Sequence, residues 1–163
     1  MKALSIFLVL LVSQNIFAEN LTSADLELPG LADGKILNIR FNEFDFIVLD
    51  FWASWCGPCQ DSLPFYEEQN ELWKKKRVLF IGVNVDSDKQ EALDFLKKQP
   101  IKYPVIIDTN RKLSGKLNVN AIPRTFIFDK QLHLVKLLKG YTSEKKEEIR
   151  TEFKQIFLQG VKK

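Results

Sequence analysis

The six residues FIVLDF, from Phe46 to Phe51, are apolar at every position except Asp50. A run this continuous is typical of a central strand that is covered on both faces of a sheet. Shortly after it the chain reaches its two cysteines, Cys56 and Cys59, with only Gly57 and Pro58 between them. The sequence therefore predicts a buried strand that delivers two closely spaced thiols to the start of the next element.

The rest of the chain alternates between strand-like and helix-like patterns. Apolar residues recur at helical spacing from Cys59 to Lys76, where Pro64 should kink the helix because it has no amide donor. Ser87, with Gln90 three positions later, forms a capping box that predicts a second helix. The other predicted elements are strands at Arg77 to Asp86, Tyr103 to Asp108, Ile122 to Asp129 and Leu132 to Gly140, and helices near Lys112 to Leu117 and from Ser143 onward. This order predicts an α/β domain with a central mixed β-sheet flanked by helices.

The stretch ahead of the first strand, from Leu26 to Glu43, alternates apolar and polar residues around Asp33 and Gly34. An Asp-Gly dipeptide favours tight hairpin turns. We therefore expect an N-terminal β-hairpin.

Composition places these elements in one domain. The chain has 163 residues, 45% of them apolar and thirteen of them phenylalanine, which is enough for one sizeable core. Two cysteines are fewer than a disulfide-stapled secreted domain would carry, so the fold must depend on that core. The net charge of +3 arises from interspersed charges and argues against a nucleic acid as partner. We expect a monomer.

The first eighteen residues, MKALSIFLVLLVSQNIFA, resemble a secretory signal peptide. A lysine precedes a short apolar run, and Ala18 offers a small residue at the cleavage point. Residues 1–18 are thus predicted to be a signal peptide and residues 19–163 a single domain. The alternative is an uncleaved membrane anchor formed by residues 3–17. Either way, the domain is expected to cross the cytoplasmic membrane and to lie in the periplasm.

The cysteine pair could be part of a metal site, a structural staple or a redox centre. Zinc needs four ligands, and His133 is the single histidine of the chain, so we expect no metal. His133 lies in a predicted strand, where we expect it to point to solvent. A disulfide that closes so short a loop would stabilise the fold little. A redox centre is the best of the three interpretations, with the dithiol or disulfide pair itself as the only redox group and no further cofactor.

The positions of the two sulfurs predict different roles for them. Pro58 suits the first turn of a helix, which needs no amide donor. The free N–H groups and positive dipole end of that helix favour Cys56 as a thiolate, while Cys59, one turn deeper, should be shielded. Asp50 lies within an apolar strand, where a lone carboxylate is unfavourable, and we interpret it as the general base for Cys59. The alternative places Asp50 at the strand end, in contact with water.

The stretch VLDFWASWCGPC resembles the active-site strand and loop of thioredoxins, including the acid at Asp50 and the later proline at Pro64. GVNVDSDKQEALDFL, YPVIID and NAIPRTFIFD resemble the secreted thioredoxin-like branch that includes the TlpA, ResA and CcmG type of thiol-disulfide reductases. The resemblance covers roughly residues 26 to 141. It implies a thioredoxin fold with an N-terminal hairpin and an extra helix inserted between central strands.

The same resemblance implies a substrate groove. Ile122-Pro123 should be a cis peptide that faces the loop of Gly57 and Pro58, with the backbone of Ile122 free to pair with an extended substrate. Trp55 should contact the substrate beside Cys56, or alternatively serve only in packing.

Two departures from the pattern of these relatives bear on function. Ser62 stands where members of the branch often carry a glutamate, which puts their role in cytochrome c maturation in question. Arg124 stands where many relatives have threonine, and its charge would favour acidic or neutral partner segments.

The predicted function is the reduction of disulfides in extracytoplasmic client proteins, with a membrane or envelope thiol reductant to recharge the enzyme. Two alternatives stay open. One is oxidation of client thiols by the same pair, since about 30 mV in a two-electron couple shifts the equilibrium by about 1.4 kcal/mol. The other is a Cu(I)-binding module that uses both sulfurs as ligands.

Overall fold

The computed structural model describes residues 21–159, so the predicted signal segment lies outside the described residues. The strands are β1 (Phe46–Trp52), β2 (Val78–Asn84), β3 (Val105–Ile107), β4 (Arg124–Asp129) and β5 (Leu134–Lys139). The α-helices are α1 (Gly57–Trp73), α2 (Lys89–Lys98), α3 (Lys112–Lys116) and α4 (Lys146–Gln159). Short 3-10 helices occupy Ser23–Leu26, Phe41–Glu43, Lys74–Lys76 and Ser143–Lys145. Within residues 21–159, no helix combines the length and apolar character needed to cross a bilayer.

The five strands form one mixed sheet in the order β3-β2-β1-β4-β5. β1 runs parallel to β2 and antiparallel to β4, and it occupies the centre of the sheet. Every residue of β1 and β2 is buried, as the continuous apolar runs predict for strands covered on both faces. The predicted α/β architecture with a central mixed sheet is confirmed.

Aromatic side chains join the helices to the sheet. Phe153 of α4 packs against Phe65 of α1 at 6.3 Å between ring centroids and against Phe80 of β2 at 5.9 Å, so α1 and α4 cover the same face of the sheet. Phe95 of α2 contacts Trp52 at the end of β1, with 5.7 Å between ring centroids. The predicted extra helix is therefore present between β2 and β3, and it lies beside the end of the central strand.

The predicted N-terminal hairpin is reduced to a turn and one bridge. The turn forms, with Gly34 at φ 69°, but only the single bridge between Pro29 and Ile36 joins the two arms. The backbone of this N-terminal segment instead hydrogen-bonds to the open edge of β3, where Leu31 N donates to Val105 O at 2.8 Å. Ile36 is 53% exposed, so the alternating pattern buries no continuous face that would hold two strands in register.

The predicted starts of two helices, α2 and α1, are corrected. Asp88, and not Ser87, caps α2, since its side chain accepts a hydrogen bond from Gln90 N at 2.9 Å. α1 begins at Gly57, not at Cys59, and continues through Pro64 to Trp73.

His133 lies in the turn ahead of β5 and not within the strand. Its side chain is 67% exposed, as the prediction of a solvent-facing histidine requires.

Candidate active site

The cysteine pair lies where β1 ends and α1 begins. Cys56 N donates to Ala53 O at 3.2 Å, which closes a turn after the strand. Cys56 is the N-cap of α1, and its Sγ accepts a hydrogen bond from Cys59 N at 3.3 Å. Pro58 lies in the first helical turn, where its missing amide proton leaves no intrahelical bond unmade. A sulfur in this position faces the free N–H groups and the positive end of the helix dipole, which favour the thiolate once the pair is reduced.

The two sulfurs differ in access. They form a disulfide with 5.2 Å between the Cα atoms, and the exposed fraction is 6% for Cys56 and 0% for Cys59. Around them Gly57 and Pro58 are exposed, and Trp55 is 63% exposed, so most of this residue is open to solvent. Of the pair, Cys56 is the more exposed.

Asp50 is buried in β1 and not at a wet strand end, since it is 1% exposed. Thr125 Oγ1 donates a hydrogen bond to Asp50 Oδ1 at 3.0 Å, whereas Oδ2 has no hydrogen-bond partner in the described residues. Burial raises the pKa of Asp50 from 3.8 to about 7, and the Thr125 hydroxyl opposes part of that rise. A carboxyl with this pKa can exchange a proton near neutral pH.

Neither cross-strand neighbour of Asp50 carries a positive charge. Asp50 lies opposite Gly82 in β2 and opposite Thr125 in β4. A Cβ atom at Gly82 would lie 3.1 Å from Trp52 Nε1 and 3.3 Å from Tyr103 Cε2, so these rings fill the space beside the glycine. Within residues 21–159, no cationic side chain contributes to the pKa of Asp50.

A buried acid that the sequence analysis missed holds the loop before Cys56. The Asp86 carboxylate accepts hydrogen bonds from Ser54 N at 3.0 Å, from Ser54 Oγ at 3.1 Å and from Asn84 Nδ2 at 2.8 Å. Gln60 Nε2 donates to Ser54 O at 2.7 Å. Asp86 is fully buried. The signal that could have found it is an acid directly at the end of an apolar run, since Asp86 follows the run that forms β2.

The proline loop reaches the same edge of the sheet. The Ile122-Pro123 peptide is cis, as predicted, and Pro123 O accepts a hydrogen bond from Gly140 N at 3.0 Å. Arg124 pairs with Phe51 in the ladder between β4 and β1, so the residues before Arg124 lie level with the end of β1. Within residues 21–159, the backbone of Ile122 makes no hydrogen bond to another backbone group.

The two residues that depart from the pattern of relatives are both engaged locally. Arg124 Nη1 donates to Asn118 O at 3.0 Å, so the side chain braces the loop that ends in Pro123. Ser62 Oγ donates to Cys59 O at 2.9 Å and is fully buried. Its hydroxyl is therefore committed to the helix backbone. In the part of the chain that the structure covers, no group of three or more His, Cys, Asp or Glu side chains could hold a metal ion.

The fold and the pair of sulfurs at a helix start define a thioredoxin-fold protein with a CXXC disulfide. The similarity to known proteins supports this assignment. The Redoxin family model matches residues 29–152. The thiol-disulfide oxidoreductase ResA of Bacillus cereus is 30% identical over 123 residues, which span 76% of this chain and 68% of that protein. ResA of Bacillus subtilis is 31% identical over 112 residues, which span 69% of this chain and 63% of that protein.

Solved structures show the same likeness. A putative thiol:disulfide interchange protein DsbE from Chlorobium tepidum superposes with a TM-score of 0.73 at 27% identity, over 80% of this chain and 91% of that one. StoA from Bacillus subtilis superposes with a TM-score of 0.63 at 24% identity, over 76% of this chain and 92% of that one, and so supports the fold. The chain belongs to the Redoxin family and is a thiol-disulfide oxidoreductase of the ResA type.

Proposed function

We propose that this oxidoreductase reduces disulfides of other extracytoplasmic proteins through Cys56 and Cys59. The observation that carries the proposal is the asymmetry of the pair: Cys56 caps the helix and keeps some exposure, whereas Cys59 is fully buried behind it. One sulfur can meet a partner while the other can act only from within the protein.

The reaction proceeds in two displacements that conserve electrons. The Cys56 thiolate attacks one sulfur of the client disulfide, forms a mixed disulfide and releases one client thiolate. Cys59 then attacks the Cys56 sulfur, forms the Cys56-Cys59 disulfide and releases the second client thiolate. The enzyme dithiol is oxidised by two electrons and the client disulfide is reduced by two.

Asp50 serves the second displacement as general base. The Cys59 thiol must lose its proton to become a nucleophile, and a fully buried thiol has little access to bulk water. Asp50 is buried on β1, the strand that leads into the cysteine loop, and its pKa is raised to about 7. It accepts the Cys59 proton during release and passes it on after the client has left.

The surface around Cys56 binds the client. Trp55, Gly57 and Pro58 form one side, and Ile122 and Pro123 form the other, where the unpaired backbone of Ile122 can hydrogen-bond to an extended client segment. We place the enzyme outside the cytoplasm, where client disulfides persist, and a membrane or envelope thiol reductant returns Cys56 and Cys59 to the dithiol state.

The test is capture of clients with Cys59→Ser, matched by Cys56→Ser. We expect Cys59→Ser to accumulate mixed disulfides and Cys56→Ser to accumulate none, because only the first variant keeps the attacking sulfur and loses the resolving one. Capture of apocytochromes would indicate a role in cytochrome c maturation. Capture of other proteins would identify other clients.

A second measurement follows alkylation of the reduced wild type at neutral pH. Cys56 should react and Cys59 should not. Equal rates at the two sulfurs, or full disulfide-reducing turnover by Cys56→Ser, would contradict the proposal. Faster oxidation of a dithiol peptide than reduction of its disulfide would show that the enzyme is an oxidase. Stoichiometric tight binding of Cu(I) by the reduced protein, without turnover, would favour the metal-binding module.

A further inference from the structure

We propose that Thr125 and Tyr66 are positioning residues for Asp50 and form a two-hydroxyl relay that controls when this carboxyl holds a proton. The inference rests on the proposed role of Asp50 in the release step. It adds two residues from two other elements to the machinery around the disulfide.

The relay is a continuous chain of hydrogen bonds. The Thr125 hydroxyl lies 3.0 Å from Asp50 Oδ1 and 2.7 Å from the Tyr66 hydroxyl. All three residues are buried, each with 1% of its surface exposed. No competing bulk water reaches the chain, so each hydroxyl must direct its proton to another member.

Counting protons fixes the direction of the chain. Thr125 has one hydroxyl proton and donates it to Asp50 when the carboxyl is ionised. The Tyr66 hydroxyl must then donate to Thr125, so that both dipoles point toward the carboxylate. Asp50 Oδ2 has no hydrogen-bond partner among the described residues. When Asp50 binds a proton at this oxygen, the two hydroxyls are no longer required to point toward the carboxyl. The ordered state therefore favours the ionised carboxyl, and it offsets part of the penalty of burial.

Helix α1 connects the relay to the resolving sulfur of Cys59. Cys59 and Tyr66 are seven positions apart, which places them on the same face of the helix about 10 Å apart along its axis. Side chains on a helix lean toward its N-terminus, so the Tyr66 hydroxyl extends back toward the turn that carries Cys59. Thr125 is the cross-strand partner of Asp50 in β4. Asp50, Thr125 and Tyr66 thus come from three elements, of which β1 ends ahead of Cys56 and α1 begins directly after it.

The other titratable groups near Asp50 do not supply a positive charge. Tyr66 from α1 and Tyr103 from the segment before β3 both feel the Asp50 charge, and burial raises the pKa of each well above its usual value. Both phenols therefore stay neutral at physiological pH. Glu67 adds a further negative charge near Tyr103. The sulfurs do not titrate while they are joined. Hydroxyl dipoles are thus the stabilisation that the described residues offer to the carboxylate.

The experiment measures the Asp50 carboxyl directly, by carbon NMR titration of the oxidised protein. Thr125→Val keeps the shape of the side chain and removes the donor, and we expect it to raise the Asp50 pKa by about one pH unit. Tyr66→Phe leaves Thr125 in place and should raise it by less. Thr125→Ser retains the hydroxyl and should restore the wild-type titration.

The kinetic arm follows release of a preformed mixed disulfide across pH. The Thr125→Val profile should shift to higher pH with the carboxyl, with a fall of about five-fold in the release rate at pH 7. In an Asp50→Asn background the same substitution should leave the profile unmoved, because a merely structural effect of Thr125 would persist there.

An unmoved carboxyl titration in both Thr125→Val and Tyr66→Phe would overturn the relay and leave the proposed reduction of client disulfides intact. Tyr66→Phe also keeps the test decisive if Thr125→Val does not fold. A release profile that is unchanged by Asp50→Asn alone would instead overturn the role of Asp50, whatever the carboxyl titration shows.

Discussion

Replacing Asp50 with asparagine should remove a pH-dependent loss of stability, and the size of that loss follows from the burial of the carboxyl. Burial raises the pKa of Asp50 from 3.8, near its value in an unfolded chain, to about 7. Since one pKa unit corresponds to 1.36 kcal/mol, holding the ionised carboxyl in the folded protein costs ~4 kcal/mol once the pH exceeds both values.

The sign follows from proton binding. Between pH 3.8 and about 7 the folded protein keeps the Asp50 proton that the unfolded chain has lost. The free energy of unfolding of the wild type therefore falls as the pH rises through this window. Between pH 5 and pH 8 this one group should lower it by about 2.5 kcal/mol. An asparagine does not titrate, so the Asp50→Asn variant should lack this part of the decline.

The assay is urea unfolding of the oxidised wild type and Asp50→Asn at pH 5 and pH 8. The informative quantity is the difference between the two proteins in their change with pH, because the amide adds a constant cost of its own that cancels. Asp61→Asn, which removes an exposed carboxyl from α1, is the matched control and should follow the wild type. If Asp50→Asn and the wild type lose stability in parallel between these pH values, the argument from burial is refuted.

Two further substitutions test the packing around the site. Gly82→Ala places a Cβ atom 3.1 Å from Trp52 Nε1 and should lower the free energy of unfolding by about 1–3 kcal/mol, measured by urea unfolding at pH 5; an unchanged midpoint would contradict the close contact. Asp86→Ala leaves the donors of Ser54 unpaired and should lower the free energy of unfolding by on the order of 2–4 kcal/mol, with faster amide exchange at Ser54, whereas Ser54→Ala should cost about 1 kcal/mol. Equal losses in these two variants would show that Asp86 does not hold the loop.

The local features of the active site could be predicted from sequence. Continuous apolar runs predicted the buried strands β1 and β2, and the position of Cys56 and Cys59 after the first run predicted a sulfur at a helix start. These features depend on residues close together in the chain, where strand and helix periods and helix-terminus chemistry act directly. The cis peptide at Pro123 was predicted through resemblance to thioredoxin-like proteins.

The N-terminal segment shows where a local pattern was insufficient. Its alternation and its Asp-Gly turn predicted two paired strands, but the hydrogen bonds of Leu31 and Pro29 go to β3, which lies far along the chain. The edge of β3, which competes for these hydrogen bonds, exists only once the sheet has formed. The correction at Asp88 is smaller, since two neighbouring polar residues could both cap α2 and the Asp88 side chain is the one that accepts the Gln90 amide.

By itself, the sequence determined the buried central strand, the helix start beside Cys56 and the presence of an acid within an apolar run. Tertiary structure alone decided which groups surround that acid. Thr125 lies 75 residues from Asp50 and Tyr66 lies 59 residues from Thr125, while Ser54 and Asp86 are 32 residues apart. Such pairs depend on strand register and on the direction of each side chain after packing, and neither is encoded in the spacing of residues along the chain.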